Sequence, residues 1–250
     1  MNWKNKHTLP LVVAHRGASA LAPENTLAAF ELALELNADG IELDVMLSSD
    51  DELVVIHDVS VDRTTNGIGK VPQMTYAQLR ELDAGSKFGE AFSGQHLPTL
   101  SEVFESVGGK MLINVELKNY HAPFDDLAAR VVRLIERFGL QESVLLSSFN
   151  PFNAAKARKI NDSISFGLLT EPASLGALLR GPVGRLFGYQ ALHPYYKDVS
   201  LKMVETLHQR DKQCNVWTVD DPKIIKQLQG WGADAIICND PAAARESLEG

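Results

Sequence analysis

Short apolar runs recur along the chain, each followed by a stretch with apolar residues at helical spacing. The runs cover 11–14, 40–47, 53–58, 111–117, 144–149, 163–169, 189–192, 214–219 and 235–238 and are rich in Val, Ile and Leu. Near-continuous apolar character suits strands buried on both faces, since neither side meets water. Between them the pattern predicts a helix capped by Asn25 or Thr26 and running to about Asn37. Further helices are predicted at 99–108, 124–138, 151–160, 173–180, 200–210, 222–230 and 240–248. Pro151 and Pro222 stand where a first helical turn tolerates proline. Alternating strand and helix implies a parallel sheet with right-handed crossovers. About eight such units in 250 residues imply a closed (β/α)8 TIM barrel, one domain over 1–250.

One stretch breaks the alternation. From Val59 to Pro98 the turn residues are dense, with Asn66-Gly67, Gly69, Pro72, Gly85, Gly89 and Gly94, and only Thr75 to Leu82 has a helical pattern. Residues 59–98 therefore read as a small insertion after the strand ending at His57. Loops at that end of barrel strands carry the active site, so the insertion is expected as a wall or lid over the mouth.

Composition narrows the partners. Hydrophobic residues make up 45% and charged residues 22%, and the net charge is -8. An acidic chain is a poor match to nucleic acid, which is held by excess Lys and Arg. It does not exclude a small anionic substrate, because a metal and a few local cations invert the field inside a pocket. Cys214 and Cys238 lie in or beside apolar runs without metal-ligand spacing and read as buried small hydrophobes. Met1 to Pro10 lacks the apolar region of a signal peptide. No apolar run is long enough to span a bilayer, so no membrane insertion is expected. A cytoplasmic protein, monomer or homodimer, is the simplest expectation.

The chemistry gathers at strand ends. His15-Arg16-Gly17 follows the first run, Glu42-Leu43-Asp44 lies in the second, and His57-Asp58 closes the third. Side chains alternate along a strand, so Glu42 and Asp44 share one side while Ile41, Leu43 and Val45 face the helices. Asn114, Glu116 and Lys118 repeat the pattern, which makes Glu116 a third candidate carboxylate. Carboxylates crowded inside a barrel repel one another unless a cation joins them. Three hard oxygen ligands with open positions suit Mg²⁺ or Ca²⁺ better than Zn²⁺. The alternative is an internal salt bridge, Glu116 with Lys118 or Asp44 with Arg16. His15 and His57 match a general acid and base, or else are rim residues of the barrel. Arg16 offers a planar fork for phosphate oxygens, or else a surface ion pair. A base, an acid, a divalent cation and a cation for the phosphate are what hydrolysis of a phosphate diester requires.

The residues also carry a resemblance. His15-Arg16-Gly17, Pro23-Glu24-Asn25-Thr26, Glu42-Leu43-Asp44-Val45, His57-Asp58 and Asp62-Arg63-Thr64-Thr65-Asn66-Gly67-Ile68-Gly69 resemble, in order, the glycerophosphodiester phosphodiesterase family. Leu97-Pro98-Thr99-Leu100, Asn114-Val115-Glu116-Leu117-Lys118, Ser148-Phe149 and Val216-Trp217-Thr218-Val219 extend it over nearly the whole chain. The resemblance implies a (β/α)8 barrel, a divalent cation, and hydrolysis of small-molecule glycerophosphodiesters to sn-glycerol 3-phosphate and an alcohol. It implies Glu42, Asp44 and Glu116 as metal ligands, His15 and His57 as the acid–base pair, and Arg16 and Lys118 as phosphate contacts. Trp217 and Phe149 would line the glycerol pocket, if they are not plain core aromatics. It further implies attack by the glycerol 2-hydroxyl, and is closest to the cytoplasmic bacterial branch. Two rivals stand beside it: a related barrel lyase that stops at a cyclic phosphate, and a barrel that only binds glycerophosphate. His193, before Pro194, is expected at the rim, and Asn25 is expected to cap its helix.

Overall fold

The computed structural model describes residues 2–3, 8–120, 122, 124–172 and 174–250. His7, expected to be solvated, and His121 lie outside them. Among the described residues the strands are β1 (Leu11–His15), β2 (Gly40–Leu47), β3 (Leu53–Val55), β4 (Leu112–Leu117) and β5 (Val144–Ser148). They continue with β6 (Ser165–Thr170), β7 (Ala191–Pro194), β8 (Gln213–Val216) and β9 (Ala235–Cys238). Eight of them pair in parallel in the order β1, β2, β4, β5, β6, β7, β8, β9, and β9 returns to β1. The sheet is a closed (β/α)8 TIM barrel.

The apolar run ahead of His57 is not one of the eight. β3 lies antiparallel to β2, with Val45 opposite Val55 and Leu47 opposite Leu53. The reason is length: residues 48–52 are too few for a crossover, which needs about a dozen or more, whereas a hairpin needs only a few. The chain therefore rises past the mouth along β2 and folds back, and His57 arrives at the mouth from above.

With one exception the helices follow the expected places: α1 (Leu27–Glu35), α2 (Tyr76–Arg80), α3 (Leu100–Val107), α4 (Leu127–Phe138) and α5 (Phe152–Ile160). Next come α6 (Ser174–Arg180), α7 (Pro182–Arg185), α8 (Leu201–His208), α9 (Pro222–Trp231) and α10 (Pro241–Glu249). The exception is the short α7, which the pattern did not predict. Thr26, Thr75, Thr99, Ser200, Asp221 and Asp240 cap them by accepting from backbone N–H groups of the first turn. The cap of α1 is thus Thr26; Asn25 is engaged elsewhere.

The outward face of the strands and the inward face of the helices make the main core, in which Ile41, Leu43, Val45, Ile113 and Val115 meet Phe30, Phe104, Val131 and Ile135. Inside the barrel the two ends differ. At the end where the strands begin, Leu11, Val13, Leu112, Leu145, Ala191 and Ala235 pack together with Trp3. Toward the strand ends the inward residues turn polar: Glu42, Asp44, Asn114, Glu116, Ser147, His193 and Asn215, all buried. Residues of the insertion form a third cluster, in which Val61, Val71, Leu79, Ala84 and Leu97 pack on Met46, Val54 and Ile56 of the β2–β3 hairpin. It carries its own apolar anchor onto the rim.

Candidate active site

Strand register builds the acidic centre. β1 pairs His15 with Glu42, and β2 pairs Asp44 with Glu116. Because Glu42 and Asp44 are two apart, both face inward beside Glu116. One carboxylate oxygen from each lies within 4.8 Å of the others, and all three residues are buried. Two cations are already in contact. Lys118 Nζ donates to Glu116 Oε1 at 2.9 Å and lies 3.5 Å from Asp44 Oδ1. Arg16 Nε lies 3.3 Å from Asp44 Oδ2, and the Arg16 backbone N–H donates to Glu42 Oε2 at 3.1 Å. Both salt bridges considered as alternatives to a metal are present, yet they do not saturate the cluster. Three carboxylates face two cations, and buried Asp44 Oδ1 has no hydrogen-bond partner among the described residues.

The imbalance shows in ionisation. Burial pushes the Glu42 carboxyl well above the usual carboxylate range, and the charges of Asp44 and Glu116 push it further. Burial also opposes ionisation of Asp44, but Lys118 and Arg16 outweigh it and hold that carboxyl low. Glu42 is therefore the least compensated member. A donor set of hard oxygens, one of them without a hydrogen bond, with an excess of negative charge, fits a divalent cation. The group could hold a metal ion.

Both histidines lie near this centre. His15 Nδ1 is 2.8 Å from Asn239 Oδ1, while the Asn239 Nδ2–H donates to Asp220 Oδ2 at 2.6 Å. The acidic partner orients the amide, so Asn239 offers an oxygen, and His15 must carry its proton on Nδ1. Its Nε2 is then a free lone pair, 4.0 Å from Glu42 Oε2. Burial, reinforced by Arg16, lowers His15 to about 4, which leaves it neutral at pH 7. His57 Nδ1 instead meets Asp58 Oδ1 at 2.6 Å, a charge-bearing partner. Burial works against ionisation of Asp58, but hydrogen bonds from Arg63 and His57 prevail and hold it at about 2.

The candidate phosphate contacts, Arg16 and Lys118, are both brought to the centre. Arg16 adopts φ 58°, followed by Gly17 at φ 82°, where an added Cβ would lie 2.6 Å from the Ala29 carbonyl carbon. Only glycine fits that approach of loop to helix. Arg16 Nη1 donates to Glu24 Oε1 at 2.9 Å. Phe149 and Trp217 stack edge to face at 5.7 Å, flanked by Tyr120 and Tyr195. Both are partly buried, and the Trp217 indole N–H donates to the His193 carbonyl. Trp217 packs on the cluster that holds Leu145 and Ala191, so the pair makes a partly exposed aromatic wall and not a sealed core.

Several contributors were not among the candidate site residues of the sequence reading. Asn25 does not cap α1; at φ 57° its Nδ2 donates to Asp44 Oδ2 at 3.0 Å and its Oδ1 accepts from the Asp44 N–H at 3.3 Å. It holds Asp44 at both ends. Tyr120 donates to Glu116 Oε1 at 2.5 Å. Glu24, Asp58 and Arg63 form an ion-pair set at the rim. Asn25, Glu24 and Arg63 all sit within motif segments, so a signal existed; Asn239 and Asp220 had none, being distant in sequence from His15. His193 is not at the rim. It is fully buried inside the barrel, touches Asn215 Nδ2 at 3.1 Å, and is lowered to about 3 by burial. Alternation along β7 puts Ala191 and His193 on its inner face and Leu192 on its outer face, so the histidine points into the barrel.

Residues 15–243 match the model of the glycerophosphoryl diester phosphodiesterase family. A glycerophosphodiester phosphodiesterase of Caldanaerobacter subterraneus subsp. tengcongensis is 41% identical over 237 residues, covering 92% of this chain and 94% of that protein. One from Bacillus altitudinis is 36% identical over 237 residues, covering 93% and 96%. A solved structure of an Oleispira antarctica phosphodiesterase, in complex with the product sn-glycerol-3-phosphate, superimposes with a TM-score of 0.88 at 30% identity, covering 97% of this chain and 98% of that one. The chain belongs to the glycerophosphoryl diester phosphodiesterase family, a family of hydrolases.

Proposed function

We propose that this chain hydrolyses glycerophosphodiesters to sn-glycerol 3-phosphate and an alcohol, with a divalent cation and two histidines. The observation that carries the reading is the buried Glu42, Asp44 and Glu116 group flanked by two histidines whose Nδ1 atoms are both engaged. Glu42, Asp44 and Glu116 would hold Mg²⁺ or Ca²⁺, which when bound would neutralise charge on the phosphoryl oxygens. Arg16 and Lys118 would contact those oxygens, and the Phe149–Trp217 wall would seat the glycerol carbons. Residues 59–98 would wall the mouth.

His15 is the better base. Its Nδ1–H is committed to Asn239 and its Nε2 lone pair is free in a neutral ring. It would take the proton of the glycerol 2-hydroxyl as that oxygen attacks phosphorus. His57 takes the other role, its ring oriented by the Asp58 carboxylate on Nδ1. It would protonate the leaving alcohol. The resulting five-membered cyclic phosphate would then be opened by water, with the roles of the histidines reversed. Intramolecular attack gains from proximity, worth about 7 kcal/mol or more in well-aligned cases.

The test is turnover of choline, ethanolamine, glycerol and inositol glycerophosphodiesters, with Mg²⁺, with Ca²⁺ and with excess chelator, measured as released glycerol 3-phosphate. Release that depends on the metal supports the reading; undiminished release in chelator removes the metal. The phosphorus NMR spectrum of the product separates hydrolysis from a lyase, which would stop at the cyclic phosphate. The cytoplasmic setting and a monomeric or homodimeric state belong to the same proposal; among the described residues no helix is long and apolar enough to cross a membrane.

A further inference from the structure

Arg63 lies in the insertion, well outside the barrel strands, yet it touches partners of both ends of the site. Its Nε donates to Asp58 Oδ2 at 2.6 Å. Its Nη1 and Nη2 donate to Glu24 Oε2 and Oε1 at 2.7 and 2.8 Å, a two-point fork. Asp58 in turn holds His57 Nδ1, and Glu24 holds Arg16 Nη1. Beyond Arg16 lie Asp44 and Glu42. The contacts run unbroken from the candidate acid, through the insertion, to the candidate phosphate contact.

The insertion holds this side chain in place. Val61 and Thr65, two residues to either side, are fully buried, and Thr65 Oγ1 donates to the Val61 carbonyl at 2.8 Å. Asp62 ties the turn together: its carboxylate accepts from Ser60 Oγ and the Gly69 N–H, and its carbonyl accepts from Lys87. The Arg63 side chain itself is 48% exposed. A single pair so exposed would contribute little, but a bidentate fork within a network is the exception. A planar guanidinium meets three carboxylate oxygens on two residues here, which an ammonium cannot do in one fixed geometry.

We propose that Arg63 is a positioning residue for the hydrolysis: it sets the His57 ring through Asp58 and the Arg16 fork through Glu24, so that the insertion aligns both ends of the site. The proposal rests on the roles given to His57 and Arg16 above. It also gives the insertion a task other than covering the mouth. Loss of Arg63 acts on kcat through His57 and on KM through Arg16.

The experiment compares wild type, Arg63→Met and Arg63→Lys, each checked for its melting temperature. Turnover of glycerophosphocholine is measured with and without guanidinium ion, and the histidine ring nitrogens are followed by long-range proton–nitrogen NMR, with His57→Ala used to assign the His57 signals. Arg63→Met is expected to lower kcat about 10-fold or more and to raise KM severalfold, in line with the effect of removing a group that orients a reacting residue. Guanidinium should restore part of the loss, and Arg63→Lys should not recover kcat. The His57 Nδ1 signal should shift or broaden in Arg63→Met as its hydrogen bond to Asp58 loosens. An unchanged His57 spectrum together with kinetics within twofold of wild type would overturn the proposal. If Arg63→Met does not fold, Arg63→Lys carries the same two readouts. If wild type turns over no glycerophosphodiester, the functional reading fails, and the His57 spectrum still decides whether Arg63 positions that ring.

Discussion

Replacing Glu42 by Gln should stabilise the metal-free protein, although it removes a residue at the centre of the site. One oxygen of each acidic residue lies within 4.8 Å of the others. At that separation and an effective dielectric constant of about 20, one like-charge pair costs about 3.5 kcal/mol. Glu42 faces two such neighbours and one compensating guanidinium. The alternative is to take up a proton. For a carboxyl whose ordinary value is 4.5, that costs about 3.4 kcal/mol at pH 7, so the penalty cannot exceed this by much. Glutamine removes the penalty and keeps an oxygen to accept the Arg16 N–H. The expected gain is up to about 3 kcal/mol at pH 7, or up to about 6–12 °C in Tm for a chain of this size. The sign follows from linkage. A carboxyl raised in the folded state binds more protons there than when unfolded, so its stability cost appears above pH 4.5 and grows with pH until its folded pKa is passed. His15 and His193 act in the opposite sense: both are lowered by burial, so their contribution is lost as pH falls through 6.5. The informative quantity is therefore the difference in Tm between variant and wild type, measured in chelator from pH 4 to 8. It should be near zero at pH 4 and widen toward pH 8. Added Mg²⁺ should raise the wild type by about 2.7 kcal/mol at 100 times its Kd and the variant far less. A variant less stable than wild type in chelator at pH 7, or a difference flat across pH, would refute the reasoning.

Other outcomes follow from the same geometry. His15→Ala and His57→Ala should each lower kcat by about 10²-fold or more with little change in circular dichroism, and retention of most activity would remove that histidine from the chemistry. Gly167→Ala should destabilise by about 1–3 kcal/mol, because the added Cβ would lie 2.4 Å from buried His193 Nε2. The cost should shrink when His193 is Ala as well, which thermal melting of the double variant checks. A substrate with hydrogen in place of the glycerol 2-hydroxyl should bind but turn over very slowly. Rapid hydrolysis of it would point to direct attack by water.

The sequence by itself determined the barrel and the candidate set of site residues. Eight of the apolar runs became barrel strands because a chain buried on both faces must be apolar on both, and that pattern is local. The placing of Glu42 and Asp44 on one face followed from the two-residue period of a strand, and Glu116 followed from the same rule. The motif order supplied the rest of the candidate set. What the tertiary structure decided is everything that depends on pairing. The run before His57 looks like its neighbours, and only its short link to β2 makes it an antiparallel partner and not a ninth barrel strand. Asn25 has the chemistry of a helix cap, but the capping place is filled by Thr26, and Asp44, on the adjacent strand, claims the amide. The state of His15 rests on Asn239 and Asp220, contributed by distant parts of the chain. Proton position and charge balance are set by which groups meet across the barrel, and no local pattern encodes that meeting.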